Sequence, residues 1–208
     1  MAHVKVVRRS MRPEEWTDLR FGWLRRGVYE SKVEITDLTI RDARQCGENE
    51  YVFDDAAWRP LRRGELYFTP DGTAFIRGHA AIPAEFAGRD VYLSLKTAAE
   101  MIVKINGVYV GGVDPNRDRI LLNPYIQSDE LNIEIEGYNR SKPDDERNPE
   151  TLAVRGCRQI FEGAYLATIR ENVQSLIYDY TLLLDVAHSE YFNEDYRQFL
   201  FTELSRGL

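Results

Sequence analysis

Two apolar runs joined by Asn106-Gly107 constrain the fold of this chain more than any other part of its sequence. The apolar residues on either side alternate with other residues: Met101, Val103, Ile105, Val108 and Val110. An Asn-Gly pair favours a two-residue turn, because both residues adopt positive φ at low cost. The pattern therefore predicts a β-hairpin with one buried face.

Further short runs with the same alternation indicate more strands along the chain. The runs occupy residues 33–40 (with an irregularity at Asp37), 66–76, 91–95, 120–122, 131–135 and 161–169. Residues 42–55, which are rich in Asp, Asn and Gly, are predicted to form a loop. Many short strands joined by turn residues predict a mainly β fold, a β-sandwich of the jelly-roll or galactose-binding-like type.

Apolar residues recur at helical spacing at the two ends of the chain. Residues 12–26 predict a short N-terminal helix whose apolar stripe, Trp16, Leu19 and Trp23, packs against the protein itself. Residues 173–187 predict a C-terminal helix, and Asn193 is the predicted N-cap of a second one. Three residues form the predicted apolar side of that last helix: Phe199, Leu200 and Leu204.

These patterns divide the chain into four consecutive segments. Residues 1–27 form an N-terminal helical segment, and residues 28–140 form the β-sandwich domain. Residues 141–150 are polar and contain prolines, as in a linker. Residues 151–208 hold one strand followed by helices, a C-terminal helical extension of the sandwich.

Composition excludes several classes of function. The net charge is −7, which disfavours a nucleic-acid partner. Apolar runs are too short to span a membrane, and no secretory signal pattern opens the chain. Cys46 and Cys157 are far apart and fit no metal spacing, so we expect reduced thiols and a cytoplasmic location.

The loop at residues 111–119 is the strongest candidate for ligand contact. Asp114, Asn116 and Arg117 supply the carboxylate, amide and guanidinium groups that sugar hydroxyls prefer, and Tyr109 and Tyr125 are predicted to lie near. In the simpler alternative, Asp114 caps a turn and Arg117 pairs with Asp118 or with a neighbouring domain. The residue types favour this alternative, since loops collect such side chains.

No catalytic motif accompanies this loop. The chain has three histidines, and His3, His79 and His188 fall in different predicted elements without a second ligand at metal spacing. A structural role is therefore the expectation for His79. We find no nucleophile elbow and no glycine-rich phosphate loop.

The order of several motifs resembles a known family. The motifs are Trp58, Phe68, Phe75-Ile76-Arg77-Gly78, Ile82-Pro83, Leu93-Ser94-Leu95, Ile105-Asn106-Gly107, Gly112-Val113-Asp114 and Leu131-Asn132-Ile133-Glu134. In this order they resemble the N-terminal β-sandwich of glycoside hydrolase family 38 α-mannosidases of the cytosolic and bacterial type. The stretches 161–166 and 176–180 are similar to the strand and helix that lead into the catalytic domain of that family.

The resemblance implies a non-catalytic domain. The family's zinc ion is held by Asp and His side chains after a His-x-Asp-x-x-W signature, and this sequence contains no His-x-Asp. We therefore expect no cofactor and no catalytic residue in this chain, and zinc in a catalytic domain that it lacks. The expected partners are the catalytic domain of the same polypeptide and α-mannoside glycans.

Other expectations depend on the C-terminal helices. An exposed helical tail predicts a homo-oligomer that associates through four residues: Leu176, Tyr180, Leu183 and Leu184. Three alternatives stay open: a free-standing carbohydrate-binding module, a jelly-roll domain of a β-galactosidase-like glycoside hydrolase, and an adaptor that docks a partner on its last helix.

Overall fold

The computed structural model describes residues 11–53, 57–65, 72–95, 99–114, 117–139 and 161–208. The helices are α1 (Pro13–Arg26), α2 (Glu171–His188) and α3 (Glu194–Gly207). The first strands are β1 (Tyr29–Glu34), β2 (Asp37–Gly47), β3 (Glu50–Phe53), β4 (Arg59–Pro60), β5 (Gly72–Ala81) and β6 (Tyr92–Leu95). The later strands are β7 (Glu100–Ile105), β8 (Val108–Val113), β9 (Arg119–Leu121), β10 (Glu130–Asn139) and β11 (Ala164–Ile169).

The strands form two sheets. The small sheet has the order β1-β11-β6-β9, and the large sheet has the order β3-β2-β5-β10-β7-β8, with β4 paired to β2. The pairs within the sheets are antiparallel, for example β5 with β10 and β6 with β11. The fold is thus mainly β, and the predicted β-sandwich is confirmed.

One hydrophobic core lies between the two sheets. Alternate residues of the strands supply it, as expected for sheets that each bury one face. The large sheet contributes Ile40, Ile76, Val103 and Ile133, and the small sheet contributes Leu93, Leu95 and Leu166, all of them buried.

The predicted hairpin at Asn106-Gly107 is confirmed. Both residues have positive φ, 50° at Asn106 and 79° at Gly107, as a tight turn of this type requires. The Asn106 side chain also accepts a hydrogen bond from the backbone nitrogen of Asn132, with 2.9 Å between Oδ1 and N. The turn is therefore tied to β10 as well as to its own two strands.

The loop predicted at residues 42–55 is wrong over most of its length. Strand β2 continues to Gly47, and β3 returns beside it after a turn at Asn49, which has a φ of 58°. Tyr51 and Phe53 hold β3 in place, because their rings lie 5.0 and 5.3 Å from the ring of Phe75. The polar residues that predicted a loop lie instead in β2, in the edge strand β3 and in the turn between them.

Three sequence predictions lie outside the described residues. They concern the strand around Leu66 and Phe68, the linker at residues 141–150, and Asn116. The strand expected at residues 161–169 is confirmed as β11, which pairs with β6 in the small sheet.

The N-terminal helix exists as predicted, but its predicted packing face is wrong. Thr17 is the buried residue of α1, and its hydroxyl donates to the carbonyl oxygens of Pro13 (2.8 Å) and Phe201 (3.0 Å). Trp16 and Trp23 are 39% and 53% exposed. Trp16, Leu19 and Trp23 do form an apolar stripe along the helix, but this stripe faces away from Thr17 and is exposed.

The predicted apolar sides of the C-terminal helices are confirmed in part, since Leu200 and Leu204 of α3 pack against the buried core of the helices. Ile177, Tyr180, Leu184 and Ala187 of α2 are buried, whereas Leu176 and Leu183 are exposed. In α3 the buried residue is Phe201, and Phe199 is 56% exposed. The N-cap prediction is confirmed, since Asn193 Oδ1 accepts from the Tyr196 nitrogen at 2.9 Å.

The structure groups the chain differently from the four consecutive segments. One compact unit comprises residues up to Glu30 together with Ile169–Leu208, and the other comprises Ser31–Thr168. The first unit contains α1, α2 and α3, and the second contains most of the sandwich, including the larger part of β11. Within the described part of the chain, no helix combines the length and apolarity needed to cross a membrane.

Candidate functional site

The loop at Asp114 forms a closed turn. The backbone nitrogen of Arg117 donates to Asp114 Oδ1 at 2.9 Å, and the Arg117 guanidinium donates to Oδ2 at 2.9 Å through Nε. The backbones of the two residues also bond each other in both directions. Asp114 therefore caps a turn and pairs with Arg117, whereas Asp118 pairs with Arg119 at 3.3 Å. A sugar contact at this loop stays a prediction.

Tyr109, one of the two aromatic residues expected beside this loop, does not lie there. Tyr109 is near the start of β8 and Asp114 follows its end, so about 16 Å of extended chain separates them. Tyr125 packs against the hydrophobic core. Tyr109 is 64% exposed, and its ring lies under the ammonium of Lys104, at 4.4 Å from Nζ to the centroid.

A more complete set of polar and aromatic groups lies on the outer face of the large sheet. Alternation in β2 and β5 buries Leu38, Ile76 and Gly78 and turns the residues between them outward. The register then forms two rows across the strands. One row is Asp37, His79 and Asn132, and the next is Thr39, Arg77, Glu134 and Lys104.

Trp58 completes this outer face and closes one side of a cavity. The cavity has a volume of about 280 Å³ and is lined by Asp37, Thr39, Trp58, Arg77, Gly78 and His79. Strand β4 follows Trp58 directly and pairs with β2 through Pro60 and Thr39. The Leu61 nitrogen adds a bond of 2.9 Å to the Leu38 carbonyl, so the segment that presents Trp58 is held on the sheet. We name this feature the Trp58 cavity.

Close packing beneath the Trp58 cavity requires a glycine at residue 78. A Cβ at this position would lie 2.4 Å from Leu38 Cδ2 and 2.5 Å from the Asp37 carbonyl oxygen. Any side chain would therefore push β2 away from β5, and with it Asp37 and Thr39. The glycine permits the close approach of the two strands that supply most of the cavity wall.

A second polar cavity lies next to the first. It has a volume of about 610 Å³ and is lined by Asn106, Gly107, Gln127, Ser128, Glu130, Asn132 and Glu134. Asn132 and Glu134 stand opposite His79 and Arg77 in the register of β10 and β5. The outer face thus offers a continuous polar surface across three strands, with the indole of Trp58 at one end.

The side chains of the Trp58 cavity can form hydrogen bonds to a polar ligand. The cavity combines one indole with a carboxylate, a hydroxyl, a guanidinium and an imidazole, which together provide hydrogen-bond donors and acceptors around an apolar surface. No group of His, Cys, Asp and Glu with the geometry of a metal site occurs among the residues that the structure describes. A few polar groups around an apolar surface are typical of small-molecule sites.

Sequence reasoning found only part of this site. Trp58 and Arg77 appeared among the motifs of the resemblance, but Asp37 was interpreted as a strand irregularity and His79 as structural. The alternation on either side of Asp37 and of His79 indicates that both face outward. What brings these two residues together is the register of β2 on β5, and no local signal in the sequence encodes that register.

No protein-family model matches the chain, and no curated protein matches it. The solved structures that resemble it include several glycoside hydrolases. The chain spans less than a third of the length of each of the three structures described next, covering 18%, 31% and 15% of them.

The particular structures are two β-glucuronidases and a rhamnosidase. A calcium-binding mutant of Bacteroides uniformis β-glucuronidase 2 shares 16% identity over 66% of this chain, with a TM-score of 0.44. Faecalibacterium prausnitzii β-glucuronidase shares 13% over 67%, with a TM-score of 0.45. The rhamnosidase of a Novosphingobium species shares 14% over 66%, with a TM-score of 0.41. None of these three is an α-mannosidase, and we draw no function from likenesses of this size.

Proposed function

We propose that this chain is a non-catalytic β-sandwich domain of a glycoside hydrolase and that it binds carbohydrate at the Trp58 cavity. The observation that supports the binding role is the cavity itself, where Trp58 lies beside Asp37, Thr39, Arg77 and His79. An indole offers an apolar surface to the C–H groups of a sugar ring, and the polar side chains offer partners to its hydroxyls.

The dimensions suit a short oligosaccharide. A volume of about 280 Å³ lies at the lower end of the range for ligand pockets, which corresponds to a single sugar ring. The neighbouring polar cavity extends the surface toward β10 and β7. With strands about 4.8 Å apart, the three strands β2, β5 and β10 span roughly 10 Å, enough for one further ring.

The charges favour a neutral sugar over an acidic one. Arg77 stands opposite Glu134 in the sheet register, and Asp37 lines the same cavity. An anionic sugar would meet the positive guanidinium together with two carboxylates, so the net attraction would be small. Neutral hydroxyls use both kinds of group as hydrogen-bond partners.

The finer proposal is that the parent enzyme is an α-mannosidase of family 38. It is supported by the motif order, most of whose described members lie on β5, β6, β7, β8 and β10 and in the segment before β4. In this proposal the domain packs on the catalytic domain of the same polypeptide, which holds the zinc ion, and it lines the approach of the substrate. The exposed free thiol of Cys46 accords with a cytoplasmic enzyme.

Calorimetric titration of the chain with methyl α-mannoside and α-mannobiose tests both levels of the proposal. We expect weak binding that becomes roughly tenfold weaker, about 1.4 kcal/mol, in Trp58→Ala and in Arg77→Ala. Tyr109→Ala is the matched control, because it removes an exposed aromatic ring from the same sheet outside the cavity.

The outcomes separate the alternatives. Preference for methyl β-galactoside would support a β-galactosidase-like domain instead of an α-mannosidase domain. If Trp58→Ala binds methyl α-mannoside as tightly as wild type does, the Trp58 cavity is not the binding site. Release of nitrophenol from a nitrophenyl α-mannoside by this chain would contradict the non-catalytic role.

A further inference from the structure

We name the compact unit that contains α1, α2 and α3 the helical unit. It has two exposed apolar stripes, and the charged residues that border them differ in sign. The first, which we name the α1 stripe, consists of Trp16, Leu19 and Trp23, which are 39%, 37% and 53% exposed. The second, the α2 stripe, consists of Tyr178, Leu182 and Val186, which are 68%, 67% and 38% exposed. Each stripe follows helical spacing, so each presents a continuous apolar ridge to solvent.

The border of the α1 stripe is basic over its C-terminal half. Arg20 lies over the Trp16 ring, with its Cζ 5.6 Å from the centroid, and Arg26 follows Trp23 by three residues. The acidic residues of α1 are Glu14, Glu15 and Asp18, all in its N-terminal half.

The border of the α2 stripe is acidic. Asp179 and Asp185 lie beside Tyr178 and Val186 in the sequence of α2, and Glu171 begins the helix. The sequence of α2 contains no lysine or arginine, and His188 is its only basic residue. An apolar ridge with aspartates at its side fits a partner ridge bordered by cations.

We propose that the occupant of the α2 stripe is the α1 stripe of a second copy of this chain. Apolar contact would supply the affinity, and the pairing of Arg20 and Arg26 with Asp179 and Asp185 would select the orientation. Pairing of two α2 stripes is disfavoured, because it would place aspartates against aspartates. An antiparallel pair of two α1 stripes would set the acidic half of one helix against the basic half of the other, but such a dimer would survive Leu182→Ser. In a two-fold dimer the contact between unlike stripes forms twice.

This surface differs from the one expected from the sequence. Two of the four residues expected there, Tyr180 and Leu184, are only 8% and 7% exposed and belong to the interior of the helical unit. The stripes instead use residues on the outer sides of α1 and α2. The proposal concerns the helical unit only, so it stands independently of sugar binding.

Light scattering coupled to size exclusion tests the association over a dilution series. We expect the wild-type chain to form dimers, and Trp23→Ser and Leu182→Ser each to weaken dimerisation at least tenfold. Ile102→Ser is the matched control, since it removes an exposed apolar side chain from the sandwich and should leave the dimer unchanged. Circular dichroism of each variant verifies that the helices remain folded.

Charge reversal tests which stripe meets which. Arg20→Glu with Arg26→Glu in one chain, and Asp179→Arg with Asp185→Arg in another, should each give monomers. An equimolar mixture should recover the dimer, because each altered stripe then meets a complementary stripe. Should Arg20→Glu perturb folding, Arg26→Glu alone replaces the first double variant.

Three outcomes would overturn the proposal. A monomeric wild type would mean that another partner, such as a catalytic domain, or another part of this chain covers the stripes. A dimer that survives Trp23→Ser and Leu182→Ser would mean that it forms elsewhere. Separate monomers in the mixture of reversed variants would reject the pairing of unlike stripes.

Discussion

The guanidinium of Arg77 lies over the indole of Trp58, with 4.5 Å between Cζ and the ring centroid. Trp58 belongs to the segment before β4 and Arg77 to β5, so this contact links two elements that are separated in the sequence. It places a flat aromatic ring and a charged hydrogen-bond donor in the wall of the same cavity. The contact therefore contributes both to the stability of the sandwich and to the shape of the proposed binding site.

A double-mutant cycle measures this contact. We expect Arg77→Ala and Trp58→Ala to show a coupling of about 0.5–1 kcal/mol in the free energy of unfolding, the usual size of a cation–π interaction near a surface. Urea titration of the four chains supplies the values. A coupling near zero would show that the two side chains do not interact in solution.

Gly78→Ala should destabilise the sandwich by about 2 kcal/mol or more. The new Cβ would lie 2.4 Å from the Leu38 side chain and 2.5 Å from the Asp37 carbonyl oxygen, which belongs to the backbone and so cannot rotate away as a side chain can. Gly22→Ala is the control, because a Cβ there meets nothing within 4 Å and alanine favours a helix. Equal melting temperatures for Gly78→Ala and wild type would contradict the close strand packing.

The Tyr51 hydroxyl should lose its proton at a higher pH than an ordinary tyrosine does. Its hydrogen bond to the Glu136 carboxylate, with burial and the negative charge of Glu136, raises the pKa of Tyr51 to about 12. Because the pKa in the folded protein exceeds the ordinary tyrosine value of 10.0, this group contributes stability that is complete below pH 10 and is lost as the pH rises toward 12. Ultraviolet difference titration of wild type and Tyr51→Phe measures the effect. The absorbance change near pH 12 should be missing in Tyr51→Phe. If this change persists in the variant, another tyrosine causes it.

Thr17→Val should cost about 1 kcal/mol of stability in the helical unit. The hydroxyl is fully buried and donates to the carbonyls of Pro13 and Phe201, so valine keeps the shape but removes a buried donor from the contact between α1 and α3. Thr202→Val is the control, since its hydroxyl donates to Gln198 within one helix at 2.8 Å. Thermal unfolding followed by circular dichroism compares the two. A larger loss for Thr202→Val would contradict the role given to Thr17.

Local signals predicted the elements of the fold well. The Asn106-Gly107 turn requires positive φ at two adjacent residues, and that requirement is visible in the residue types alone. The cap at Asn193 is equally local, because the acceptor oxygen and the donor nitrogen are three residues apart. The loop assigned to residues 42–55 was wrong because strand β3 is held by rings of a different strand, at Phe75.

The candidate site was predicted less well, because it depends on contacts between distant residues. The loop at Asp114 had the side chains of a sugar site, yet two of these side chains bond each other within a turn. Asp37 and His79 come together only when β2 pairs with β5 in one register. A shift of β2 along β5 by one residue would turn Asp37 toward the core and separate it from His79.

By itself the sequence determined the helices and most of the strands, where the central hairpin turns, and that the strands bury one face. These properties follow from the alternation of apolar residues and from the φ preferences of single residues. Only the tertiary structure decided which strands are neighbours, which outward residues share a cavity, and which side of α1 is buried. Those choices depend on long-range packing, where Thr17 rather than Trp16 or Trp23 fits against α3, and where Gly78 alone permits β2 and β5 to approach.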